Sequence, residues 1–421
     1  MNQRMSSQNL DKMDKLVHFK SRFYNSNNEI YMDGNSLGKL PIQTKNQISS
    51  LVENQWGKNL IRSWNDHWLE LPKRVGYKIA KLINADKEEV LVGESTSVNL
   101  YKLGCALVAS KIFPKQLLTD SLNFPTDNYI LDGICKQYSV SKPIVISHNS
   151  DLRADIDILK KKINDCSGIL CLSLVTYKSA YRYPMKLLND YAKKNNSIII
   201  WDLSHAVGVV DIDVKKTNTI VAIGCTYKYL NGGPGSPAFI YIKKSMIKKL
   251  NSPIQGWFGH KRPFDFSNNF VPADGIEKFE AGTQHIISLA ALETGIDITL
   301  EAGIKNISNK SKQMSTYMIS KIKNELTPLG FILESPENFD ERGSHVTLSH
   351  EHSWQICQCL TNPVGNKIKV IPDFRPERYI RFGLAPLYLS FNDIKITVQR
   401  LKEIVENKEY ENKKKGRPIV T

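Results

Sequence analysis

The 421-residue chain has no apolar run approaching the ~20 residues that a membrane-spanning helix requires. Its best candidate, 197–210, is broken by Asp202 and His205. Asp11 and Asp14 lie among the first lysines and no apolar stretch accompanies them, so no signal peptide is expected. The seven cysteines are scattered, and none forms a CxxC pair; only Cys357 and Cys359 stand close together. A disulfide framework and structural zinc are excluded, and a reduced, cytoplasmic chain is expected. Internal repeats and low-complexity linkers are also missing. So is a basic stripe interleaved with aromatics, of the sort single-strand nucleic-acid binders use.

What is present is ordinary for a globular protein: 41% hydrophobic and 24% charged residues. The length suggests two to three domains and a large core. The net charge of +15 invites a nucleic-acid reading, which steep salt-dependent binding would reveal. The one dense basic block, however, is Lys413-Lys414-Lys415-Gly416-Arg417, and a disordered tail over 409–421 is the expectation there. No nucleic-acid or membrane partner is expected.

Short apolar runs alternate with amphipathic stretches, which predicts an α/β fold with a mostly parallel sheet. Strands are expected at 116–119, 143–147, 168–174, 197–201, 220–224 and 238–242, with helices at 127–138, 155–164 and 184–195. The strand segments are continuously apolar, as in sheets covered on both faces. Beyond about residue 300 the pattern changes. A long helix (303–326) precedes strands at 344–349, 367–371 and 379–383 and a helix at 352–360. A final helix, 391–407, is capped by Ser390 or Asn392. The expected domains are an N-terminal segment (1–60) joining the small domain, a large domain (61–300) and a small α+β domain (301–408).

Gly34-Asn35-Ser36-Leu37-Gly38 is a literal GxSxG. A nucleophile elbow needs a strand deep in a sheet and an earlier oxyanion loop. Only the short run 30–33 precedes this site, so a pocket-lining turn is the better reading. A stronger constellation lies further on. Asp202 and Lys228, 26 residues apart, each sit just past a predicted strand, where open α/β sheets place ligands. A glycine loop, Asn231-Gly232-Gly233-Pro234-Gly235, follows Lys228. Pyridoxal phosphate needs this set: a lysine amine to hold it, and an acid to keep its ring nitrogen protonated. The run Glu94–Leu100 opens a helix with hydroxyls and free amides, an anion cradle. Phe124 opens another helix and offers a ring face.

Together these segments resemble the kynureninase family. The resemblance rests on Tyr31–Gly38, Leu60-Ile61-Arg62-Ser63-Trp64, Phe124-Pro125-Thr126-Asp127, Trp201-Asp202-Leu203-Ser204-His205, Tyr227–Gly235, Gly256–His260 and Asp373-Phe374-Arg375-Pro376. It runs in order from about residue 30 to about residue 390. It implies a fold-type-I pyridoxal-phosphate-dependent, transferase-like fold and a homodimer with sites at the subunit interface. The implied reaction is hydrolysis of L-kynurenine, and possibly its 3-hydroxy derivative, in tryptophan catabolism and the NAD-forming kynurenine pathway. Carried over, Lys228 holds the cofactor and acts in catalysis with Tyr227, and Asp202 pairs with the ring nitrogen. Phe124 stacks on the ring. Thr96, Ser97, Tyr227, Trp257 and Thr283 hold the phosphate, while Asp127, Ser173 and His205 line the other edges. Arg375 takes the substrate carboxylate, and Asn35, Ser36, Trp64 and Gly282 complete the substrate site. Gln284-His285 depart from the family's usual Pro-Pro. The runner-up is another fold-type-I lyase, such as a cysteine desulfurase, which would need a nucleophilic cysteine on a mobile loop.

Overall fold

The computed structural model describes residues 6–150, 152–413 and 416. In chain order its strands are β1 (Glu29–Tyr31), β2 (Val90–Val92), β3 (Leu117–Asp120), β4 (Ile144–Ile146), β5 (Ile169–Ser173), β6 (Ile198–Asp202) and β7 (Val221–Gly224). They continue with β8 (Phe239–Ile242), β9 (Ile332–Leu333), β10 (Val346–Ser349), β11 (Lys369–Ile371), β12 (Asp373–Arg375) and β13 (Tyr379–Phe382). A seven-stranded sheet has the order β2-β8-β7-β6-β5-β3-β4. Only β8 runs against its neighbours β2 and β7. The central strands read Ile-Leu-Cys-Leu-Ser and Ile-Ile-Ile-Trp-Asp and are buried throughout. Helices cover both faces of such sheets, so no residue of these strands needs to be polar except at the ends.

The helix Thr96–Ser110 is apolar almost all round and lies in the core, with Leu100, Leu103, Leu107 and Val108 buried. By contrast Met185–Lys194 buries a stripe of Met185, Leu188 and Ala192 and turns its lysines outward. All six strands expected in this region form, within about two residues of the expected ends. β2 is an addition: three residues are too short a run to stand out, and it forms because β8 offers it an edge.

The second sheet, β12-β13-β10-β9, is antiparallel. Beside it pack the helices Ile304–Lys321, Ser353–Thr361 and Phe391–Glu406. Of the two caps expected for the last helix, Ser390 serves: its hydroxyl accepts from Asp393 N while the Asp393 side chain accepts from Ser390 N. The chain's beginning is fastened here as well. β1 pairs in parallel with β11. Asp11 accepts hydrogen bonds from the amides of Phe391 (2.7 Å) and Asn392 (3.0 Å). Asp14 forms a buried ion pair with Lys310 at 2.7 Å. The expected disordered tail begins differently: Glu409–Asn412 forms a 3-10 turn, and Glu409 pairs with Arg400 and Lys367. Residues 414–415 and 417–421, the rest of that expectation, lie outside the described residues. No helix among the described residues is long and apolar enough to cross a membrane.

Candidate active site

β6 and β7 end side by side, and their ends carry the chemistry. Asp202 is the last residue of β6, and Cys225-Thr226-Tyr227-Lys228 leaves the end of β7. Above them lies a cavity of about 580 Å³. Thr96, Ser97, Phe124, Asp127, Asp202, His205, Tyr227 and Lys228 all line it. Lys228 Nζ lies 3.0 Å from His205 Nε2. Desolvation lowers the pKa of Lys228, and nearby Arg381 and Arg375 push the same way. Desolvation, then the Lys228 charge, hold His205 well below its usual range, so its imidazole is neutral and accepts from the ammonium.

The two carboxylates divide one task. Both are raised by desolvation. Asp202 Oδ1 accepts from Ser204 N (2.9 Å) and Ser204 Oγ (2.5 Å), bonds that favour its anion. Asp127 has a buried Oδ2 with no partner, and the Asp202 charge raises its pKa further. Asp202 therefore carries the charge and Asp127 the proton. At the far wall Ser95 caps the helix Thr96–Ser110, accepting from Val98 N. That leaves the amides of the first helical residues, Thr96 and Ser97, pointing out at the positive end of a 15-residue helix. An amine of lowered pKa, an anionic carboxylate, a protonated one with an unspent oxygen, an aromatic ring and an anion cradle fit pyridoxal 5′-phosphate. Among the described residues no cluster could hold a metal ion.

Other expected site residues lie elsewhere. Ser173 ends β5 in register with Asp202 and is not among the residues lining the cavity; its N and Oγ both donate to Asn123 Oδ1, at 2.9 and 2.5 Å. Trp257 is 40% exposed and packs with Phe258, Phe264 and Phe266. Gly282 and Thr283 are exposed on the loop before the helix Ile286–Ala302. Trp64 lines a second cavity, of about 540 Å³, with Trp56, Leu60, Trp68 and Ile286. Asn35 is fully buried with both side-chain polar atoms unpartnered. Ser36 Oγ accepts from Arg381 Nη2 at 3.3 Å.

The turn at 34–38 reaches the site through close backbone contact. Gly38 N donates to Tyr227 O at 2.8 Å, and a Cβ on Gly38 would stand 2.2 Å from Lys228 O. Only glycine permits that approach.

Arg375 Nε donates to Asp373 Oδ2 at 2.9 Å. Arg381, not singled out from the sequence, shares that oxygen (2.5 Å) and donates to Tyr177 O. It is wholly buried. Its signal was available: a charged residue inside the apolar run Tyr-Ile-Arg-Phe. Asp33, facing Asp373 in the same network, is pushed up to about 7 by burial and then by the Asp373 charge.

A family profile described as "Kynureninase C-terminal domain" matches residues 307–401. A kynureninase of Pseudomonas fluorescens is 34% identical over 95% of this chain and 94% of its own length. One from Burkholderia mallei is 33% identical over 94% of each. This chain belongs to the kynureninase family. Kynureninases are pyridoxal-phosphate-dependent hydrolases acting on a carbon–carbon bond, as the resemblance implied. Solved structures share the fold at low identity. An apo cysteine desulfurase from Thermococcus onnurineus NA1 superposes with a TM-score of 0.76 at 16% identity, over 95% of this chain and 98% of its own. A C-DES variant with glycine covalently linked to its PLP cofactor gives 0.79 at 14%, over 91% and 99%. The desulfurase alternative finds no support beyond the fold. Cys357 and Cys359 are buried on the helix Ser353–Thr361, and burial pushes the Cys357 thiol up to about 12.

Proposed function

We propose that this member of the kynureninase family hydrolyses the Cβ–Cγ bond of L-kynurenine, releasing anthranilate and L-alanine, with pyridoxal 5′-phosphate bound at Lys228. The observation that carries this reading is the meeting of Lys228, Asp202 and the free amides of Thr96 and Ser97 around one cavity.

Bound there, the cofactor supplies an electron sink for negative charge developing on the substrate. The residues supply the rest. Thr96 and Ser97 hold the phosphate on their amides. Anionic Asp202 keeps the ring nitrogen protonated, and Asp127, carrying its proton, donates along another edge. Phe124 covers one face of the ring. Lys228, with its pKa lowered, takes the proton from the substrate Cα and returns it, while neutral His205 holds the amine in place. Water adds to the γ-carbonyl, and collapse of that adduct breaks the Cβ–Cγ bond. Cys225 and then burial raise the pKa of Tyr227, which keeps its hydroxyl protonated. It is the acid that protonates the three-carbon remnant. The substrate carboxylate is taken by Arg375, with Arg381 behind it; the two guanidiniums share Asp373 as counter-ion. Asn35 and Ser36 close this end.

The aryl ring lies against Trp64. Trp257, Gly282 and Thr283 act across the interface of a homodimer. The exposed aromatic cluster of Trp257, Phe264 and Phe266 supports that placement, because monomers rarely leave such patches open. The enzyme works in the cytoplasm. Purified protein is expected to show a near-visible absorption band that borohydride abolishes and to release fluorescent anthranilate from L-kynurenine. Protein that lacks the band after incubation with the cofactor and releases no anthranilate overturns the proposal.

A further inference from the structure

The two cavities meet at one side chain. His285 lines both the cavity of Lys228 and the cavity of Trp64. Their walls differ in kind. The first presents an amine, carboxylates and hydroxyls. The second is almost wholly hydrocarbon, and the indole N–H of Trp68 is already given to Gln55 Oε1 at 2.7 Å. The His285 imidazole, by contrast, is exposed at this boundary and makes no hydrogen bond to any described residue. Its backbone is nonetheless fixed. His285 caps the helix Ile286–Ala302, and its carbonyl accepts from Leu289 N at 2.9 Å. The preceding Gln284 is tied to Glu280 by a 2.6 Å bond from Nε2 to Oε2. An unspent polar ring thus hangs from a held backbone at the boundary between amino-acid chemistry and ring packing.

An aryl ketone bearing an ortho amine has apolar faces and one polar edge. A substrate whose Cα reaches Lys228 and whose ring enters the Trp64 cavity carries that edge past His285. We propose that His285 is a specificity-determining residue that hydrogen-bonds the ring amine of the substrate. This rests on the reading that the chain cleaves L-kynurenine. The aryl amine is a weak base and a good N–H donor, and an imidazole ring nitrogen bearing no hydrogen is an acceptor of matching strength. The usual family pair Pro-Pro has no side-chain hydrogen-bonding atom, so this contact is a property of this chain.

The test uses cofactor-loaded enzyme with two substrates, L-kynurenine and 3-benzoyl-L-alanine, the same aryl ketone without the ring amine. His285→Ala is expected to lower kcat/KM for L-kynurenine by roughly three- to tenfold, mainly through KM, the range for one lost hydrogen bond between neutral groups. The amine-free substrate is expected to change by less than about twofold, the near-visible band should stay as it is, and His285→Asn should restore part of the loss. Equal losses on both substrates, or no loss on L-kynurenine, overturn the proposal. So does a shift of the cofactor band. If the unaltered enzyme cleaves neither substrate, it is the functional reading that falls, which separates the two failures.

Discussion

The cavity around Lys228 and the cavity around Trp64 are built in opposite ways. Strand ends make the first. Asp202 and Lys228 follow β6 and β7, whose neighbours on both sides are hydrogen-bonded, and every core residue beneath them is buried. Turns and irregular helix make the second. Residues 51–68 are 3-10 and π turns, and Trp56, Leu60 and Ile61 are exposed. The difference shows where precision is needed. Proton transfer tolerates little displacement, so its groups sit on the most rigid part of the fold. On the function proposed above, recognition of the aryl ring needs area and a few contacts, and a loop surface supplies those.

The sharpest way to break this comparison is to remove the amine. Lys228→Ala should abolish the borohydride-sensitive band and lower turnover by several orders of magnitude, since both attachment and proton transfer go. Turnover near the unaltered level would remove Lys228 from the chemistry. Asp202→Asn comes next. It removes the charge that holds the ring nitrogen's proton, and kcat should fall roughly 10²–10³-fold, the scale for a lost electrostatic stabiliser. The fold should persist, because asparagine keeps the shape of the side chain and its Oδ1 can still accept from Ser204. Unchanged kcat would make Asp202 no more than a partner of Ser204.

At the carboxylate end, Lys is a poor substitute for a guanidinium fork. Arg375→Lys should raise the KM for L-kynurenine by an amount equivalent to ~1–3 kcal/mol and leave cofactor loading alone. The same measurement on Arg381→Lys weighs the two arginines; a larger KM effect there moves the substrate carboxylate to the deeper one. In the aromatic region a smaller change is expected. L-kynurenine should exceed its 3-hydroxy derivative in kcat/KM by roughly ten- to a hundredfold, because Trp64 has no acceptor for the hydroxyl, His285 is taken by the ring amine, and burying the hydroxyl unpaired costs ~1–3 kcal/mol. Trp64→His combined with Thr283→Asn should narrow or invert that ratio; an unchanged ratio would show that the ring lies elsewhere. The smallest effect concerns the loop that carries His285. Burial pushes Glu280 up to about 7 from an ordinary 4.5. A carboxyl raised in the folded state favours folding below its unfolded pKa, and that contribution fades as pH rises through about 7. Glu280→Gln should therefore raise Tm by a few degrees at pH 8 relative to the parent and flatten the dependence between pH 4.5 and 7. Parallel Tm curves would show that Glu280 does not feel this burial.

The sequence was most legible where one physical cause dominates. Doubly covered strands must be apolar, and so 198–202 and 221–224 stand out with the chemistry at their ends. Edge strands do not. β2 and β12, three residues each, form because a neighbour presents an unpaired edge, information that resides in the tertiary structure. Of eight cavity residues, Asp202, Lys228, Phe124, Thr96 and Ser97 could be named in advance because they lie at a strand end or open a helix, while Asp127, His205 and Tyr227 were named through the family resemblance. Arg381 was passed over although it interrupts an apolar run, because the family resemblance pointed to Arg375. Ser173 has the right residue type at a strand end, but Asn123 reaches it first. Trp257 and Thr283 carry no local sign that they face outward.

The fastening of the first residues onto the last has a consequence for synthesis. Glu29 pairs with Lys369, 340 positions later. At about 5–20 residues per second, a ribosome needs roughly 20–70 s to deliver the partner. Through that interval the nascent chain can lay down β2 to β8, but β1 has no strand to join. The turn at 34–38, whose Gly38 lies against Lys228 O, is tethered to a strand still waiting for its mate. The order of assembly is then the reverse of the order of translation for this piece. β1 docks late, and a message truncated before residue 369 yields the seven-stranded sheet beside a β1 without its partner.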